Sequence, residues 1–91
     1  MEFCVFNGLK QVCKGKGIEG LYHLFETILY PYNKFIEDCI IEYGDDYVEE
    51  MSEEELEKLR CDICETEAID MLAKLNSKGF ATYQYYLIKL C

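Results

Sequence analysis

Apolar residues recur through most of the chain at spacings of three and four, and polar punctuation divides them into blocks. Ile18, Leu21, Phe25, Ile28 and Leu29 line one face of a helix whose other face holds Glu19, His23, Glu26 and Thr27. Pro31 has no amide donor and clashes with the preceding turn, so it ends or kinks that helix. Beyond it Tyr32, Phe35, Ile36, Cys39, Ile40 and Tyr43 repeat at the same spacing, and Gly44 is placed to cap their C-terminus. Residues 45–51 form an acidic connection with room for a helical turn around Tyr47 and Val48. Ser52 followed by Glu55 makes a capping box, with Glu53, Glu54 and Glu55 at the favoured end of the helix dipole. That helix closes at Leu72 and Leu75, before Asn76-Ser77-Lys78-Gly79.

Its apolar face changes side along the way. At about 100° per residue, Leu56, Leu59 and Ile63 cluster opposite Cys61, Cys64, Ala68, Met71, Leu72 and Leu75. Either the helix breaks near residues 62–66, or its two halves are buried against different partners. In the second case Leu56, Leu59 and Ile63 form an interface inside the domain or with a second copy of the chain.

The two ends of the chain read both ways. Phe3-Cys4-Val5-Phe6, Asn7-Gly8 and Leu9-Lys10-Gln11-Val12 fit a hairpin with a type I′ turn, while Phe6, Leu9, Val12 and Cys13 fit a helix. Residues 80–91 have strand-like Tyr and Phe content, yet Tyr83, Tyr86, Leu87 and Leu90 recur at helical spacing behind Thr82. The helical reading is adopted at both ends, because the segments between them are helical. Lys14-Gly15-Lys16-Gly17 reads as a loop, without the flanking strand and Lys-Ser/Thr pair of a phosphate loop. The expected fold is therefore mainly α, a single helical domain over residues 1–91 built from four to six short helices. Its alternative is α+β, with a terminal β-hairpin from residues 2–13.

Composition narrows what such a domain does. Ninety-one residues leave room for one core, and 51% apolar with 30% charged residues is a globular balance. Net charge is −9, which argues against direct binding of nucleic acid or of an anionic membrane surface. The charge is uneven: residues 37–57 hold eleven acids and no base. The N-terminus lacks a basic region and a long apolar stretch, so no secretion signal is read, and no run is long enough to span a membrane. Six irregularly spaced cysteines then read as reduced thiols in a cytoplasmic, reducing compartment, several of them filling the core.

No reaction signature emerges. Cys61-Asp62-Ile63-Cys64 has zinc-knuckle or redox spacing, but no second pair accompanies it, and the preceding carboxylates would raise the thiol pKa. His23 is the only histidine, with no identifiable orienting partner. The expectation is a non-enzyme without cofactor or resident metal. The acidic run also lacks the Asp/Asn alternation and central glycine of an EF-hand.

A base-free acidic run repels itself, and its field steers association with a cationic partner. Eight Tyr and five Phe exceed what so small a core hides, and Tyr suits interfaces. The candidate partner-binding residues are Tyr43, Asp45, Asp46, Tyr47, Glu49, Glu50, Glu53, Glu54 and Glu57. In size and charge alone the chain resembles the small acidic inhibitors of phages and mobile elements, anti-CRISPR proteins among them. That resemblance implies a protein that occupies the basic, nucleic-acid-binding surface of its partner. The alternatives are a thiol or zinc module using Cys61 and Cys64, and a helical assembly subunit using Leu56, Leu59 and Ile63.

Overall fold

A computed structural model describes residues 1–91. Two hairpins and four α-helices follow one another as β1 (Glu2–Asn7), β2 (Lys10–Lys16), α1 (Gly17–Leu24), α2 (Tyr32–Tyr43), α3 (Asp45–Glu50), α4 (Glu53–Lys78), β3 (Phe80–Tyr83) and β4 (Tyr86–Leu90). Helix α1 continues directly into a π-helical turn over Phe25–Leu29. Helix accounts for 63% of the residues, so the helical expectation holds for the middle of the chain. The whole is nonetheless α+β, and the hairpin alternative is the one realised.

The four strands form one antiparallel sheet in the order β2-β1-β4-β3. The first and last strands are thus central neighbours, pairing Phe3 with Leu90 and Val5 with Ile88. This pairing explains why both ends of the sequence misread as helix. A strand's burial depends on its neighbours, and here the neighbour lies at the other end of the chain. The first turn also differs from expectation. Its two residues are Gly8 and Leu9, with positive φ at Gly8 alone, which fits a II′ turn better than a I′ turn over Asn7-Gly8. Lys14, Gly15 and Lys16 are not a loop but the end of β2.

Phe3, Val5, Ala81 and Ile88 point from the sheet into the core, where they meet Leu21, Leu24, Phe25 and Leu29 and the buried residues of α4. The Phe3 ring lies over Gly15, its cross-strand partner: a Cβ on Gly15 would stand 2.6 Å from Phe3 Cζ. Only a glycine leaves that space, and the buried ring has nowhere to retreat.

Ser52 caps α4 as the capping box predicts, its hydroxyl accepting from Glu55 N–H at 3.2 Å. The helix is unbroken for 26 residues and ends where Gly79 N–H bonds to the Leu75 carbonyl. Its apolar face does not change sides. The buried residues are Leu56, Arg60, Cys64, Ala68, Met71 and Leu75, a continuous stripe at spacings of three and four. An arginine occupies the position that made the pattern look reversed. Leu56 is buried within the domain, with Leu59 and Ile63 half-buried against the same core, so that face is an internal one.

Two cysteines are not free thiols. Cys4 and Cys91 are joined by a disulfide, their Cα atoms 5.8 Å apart, which corrects the expectation of six reduced cysteines. The Cys91 N–H also bonds to the Glu2 carbonyl at 3.2 Å, extending the β1–β4 pairing past β4. In the chain-entropy account, closing a loop of this length stabilises the fold by about 4–5 kcal/mol. Cys13, Cys39, Cys61 and Cys64 remain free.

Replacing Gly15 by Ala should destabilise the fold by about 1–3 kcal/mol through overpacking against Phe3, read as a lower urea midpoint at unchanged slope. A companion Phe3→Leu change in the same chain should recover part of that loss.

Candidate functional site

The predicted site residues fall on three consecutive elements. Tyr43 closes α2; Asp45, Asp46, Tyr47, Glu49 and Glu50 make up most of α3; Glu53, Glu54 and Glu57 occupy the first two turns of α4. Short α3 forms because Gly44 ends α2, and Asp45 and Asp46 stand where its N-terminal amides favour negative charge. None of its residues is buried.

The structure brings the two predicted aromatic residues together. The Tyr43 and Tyr47 rings lie 4.6 Å apart with planes 30° from parallel, across the α2–α3 junction. Tyr43 is 56% exposed, and Ile41 nearby on α2 is 83% exposed, so apolar contact area is open to solvent among the acids. All of the site carboxylates are exposed. Of the eleven acids in residues 37–57, only Glu57 forms an ion pair. The other ten have no cation of this chain against them.

Glu57 is held differently. Both its oxygens accept from Arg60, from Nη2 at short range and from Nε at 3.4 Å, and this bond holds its carboxyl below the usual carboxylate range. Arg60 also reaches Glu26, with Nη1 3.4 Å from its main-chain carbonyl and Nη2 3.8 Å from its carboxylate. The first of these contacts has a cause in the sequence. In the π-helical turn Tyr30 N–H bonds to the Phe25 carbonyl, and the donor that would serve Glu26 in the same pattern belongs to Pro31, which has none. Arg60 supplies it. The guanidinium also stands 5.9 Å from the centre of the Tyr32 ring. Tyr32, Glu53, Glu54 and Glu57 then wall an open concavity of about 420 Å³ on the acidic surface.

Sequence reasoning missed Arg60, Glu26 and Tyr32. The available signal was Arg60 lying four residues after Leu56 and four before Cys64, on the stripe that buries both.

The two thiols of the Cys61/Cys64 pair differ in burial. Cys64 is fully buried, and burial pushes its thiol up. Cys61 is half-buried beside Glu57, its Sγ 3.8 Å from Oε1, and a hydrogen bond with Cys61 is the main cause that pushes the Tyr22 hydroxyl up. Ligand atoms of Glu26, Glu57 and Cys61 lie within 4.8 Å of one another, but Cys64 is not among them. The Arg60 guanidinium already pairs with both carboxylates of that group, its single charge shared between them. His23 is exposed on α1 and has no ion pair.

The strands carry the opposite charge. Lys10, Lys14, Lys16 and Lys89 are all exposed and unpaired, against a single strand acid, Glu2. Negative charge is therefore concentrated on α2, α3 and the start of α4, and positive charge on the sheet. No helix is long and apolar enough to cross a membrane. No protein-family model, curated protein or solved structure matches the chain.

Replacing Arg60 by Met keeps the stripe filled but leaves the Glu26 carbonyl without its donor, which should cost about 1–3 kcal/mol by chemical denaturation. Glu57 gives a pH signature. Its folded carboxyl is lowered, so its contribution is present above the ordinary glutamate range near ~4.3 and is lost as pH falls through the lower folded value. The stability deficit of Glu57→Gln at pH 7 should accordingly shrink as pH is lowered towards 3.

Proposed function

We propose that the protein is a binding module, not an enzyme, that docks its acidic helical surface on a cationic partner of the kind that binds nucleic acid. The observation that supports this reading is the set of ten carboxylates in residues 37–57 left without a counter-ion, on the same elements as the paired Tyr43 and Tyr47. Unpaired like charges on adjacent elements repel one another and weaken the compact state. Four lysines of the same chain are likewise unpaired on the strands, so the fold leaves its own cations unused.

Asp45, Asp46, Glu49, Glu50, Glu53 and Glu54 present the charge, and Tyr43 and Tyr47 supply solvent-open aromatic area to be buried on docking. Rows of carboxylates on successive helical turns suit a groove lined by Lys and Arg, the same lining that receives phosphates. Occupying that groove would exclude nucleic acid from the partner. Glu57 is assigned a supporting part, since Arg60 fixes it at the wall of the Tyr32 concavity.

The test combines capture with charge reversal. The tagged chain is used as bait in a lysate of its source cell, and retained proteins are eluted by a salt gradient and by added DNA or RNA. Basic proteins should elute at raised salt and be released by nucleic acid, and the Glu49→Lys, Glu50→Lys, Glu53→Lys, Glu54→Lys variant should retain them at least tenfold less. Capture that is unchanged by the four reversals and indifferent to nucleic acid would falsify the reading.

A further inference from the structure

The strand register places two cations around the disulfide. Lys14 on β2 and Lys89 on β4 are the direct cross-strand partners of Cys4, one on each side. Direct partners project from the same face of an antiparallel sheet, with Cβ atoms about 4.5–5.5 Å apart. That face is turned away from the helices, because the alternate residues Phe3 and Val5 are the buried ones. Lys89 Nζ rests 5.2 Å from the centre of the Phe6 ring on this same face. Neither lysine has an ion pair. The acidic side chain beside them is Glu2, which is opposite Lys16. Of the two sulfurs, Cys91 belongs to an exposed residue and Cys4 to a half-buried one.

We propose that the Cys4–Cys91 bond is an exchange site for small thiols that carry carboxylates, with Lys14 and Lys89 selecting them. The two ammonium groups draw the anionic thiol to the sheet face. Its thiolate attacks the accessible Cys91 sulfur, forming a new S–S bond as the Cys4–Cys91 bond breaks. The electron pair leaves on Cys4 as a thiolate flanked by the two cations, and a stabilised thiolate is the better leaving group. A second equivalent of the same thiol attacks the small-molecule sulfur of the mixed disulfide and releases the Cys91 thiolate. Two small thiols are oxidised to their disulfide, and the protein disulfide is reduced to two thiols.

Charge selectivity makes this testable, because the molecule as a whole and the site predict opposite preferences. The net charge of −9 favours a cationic thiol, and the two lysines favour an anionic one. The air-oxidised full chain is treated with mercaptosuccinate or with cysteamine at one pH and low salt, then quenched by alkylation. Loss of the disulfide-linked tryptic peptides that carry Cys4 and Cys91, residues 1–10 joined to 90–91, or to 79–91 where Lys89 is replaced by Gln, is followed by mass spectrometry, and each rate is divided by the thiolate concentration. Mercaptosuccinate should be the faster reagent, by about fivefold for each lysine. The preference should disappear in the Lys14→Gln, Lys89→Gln variant and persist in Lys14→Arg, Lys89→Arg, which keeps the charge and reports on folding. A faster reaction with cysteamine, a ratio unchanged by the glutamine pair, or the absence of the linked peptide from oxidised protein would each overturn the proposal.

Discussion

Arg60 joins the two longest helical stretches at the point where the first of them runs out of backbone donors. The π-helical turn before Pro31 leaves the Glu26 carbonyl without a helical donor, and α4 places a guanidinium against it from its buried stripe. An arginine at 8% exposure is tolerable only with its charge answered, and Glu57 and Glu26 answer it from α4 and from the turn. The contact therefore does more than join two side chains. It fixes how far α4 slides along α1, and hence where the first turns of α4 carry their acids.

Much of the helical layer was legible because its signals are local. The Pro31 stop, the Gly44 end of α2, the Ser52 cap and the α4 terminus before Gly79 all involve residues within a turn of one another. The sheet was not legible for the opposite reason. Phe3 and Val5 become core residues only through Leu90 and Ile88, and nothing near either segment announces the other. The apparent reversal along α4 failed on a different rule, that charged residues lie outside the stripe. Arg60 breaks it, and the break marks a junction between elements.

The candidate site was readable in composition but not in shape. Residues 37–57 announced their charge, whereas the pairing of Tyr43 with Tyr47 depends on how the chain turns at Gly44, between α2 and α3. Nor could composition show that Glu57 is engaged by Arg60 while its neighbours stay free. Segregation of the lysines onto the strands was equally hidden, since it depends on Lys10, Lys14, Lys16 and Lys89 meeting in one sheet.

The central position of β1 and β4 sets the order in which the molecule can be made. Each hairpin and helix closes with near neighbours, but Phe3 cannot meet Leu90 until the ribosome has delivered the final strand. Until then β1 offers one unpaired edge and an uncovered Phe3 and Val5. A chain that has made β1 but not yet β4 thus carries an unshielded, association-prone strand for as long as the helical layer takes to emerge.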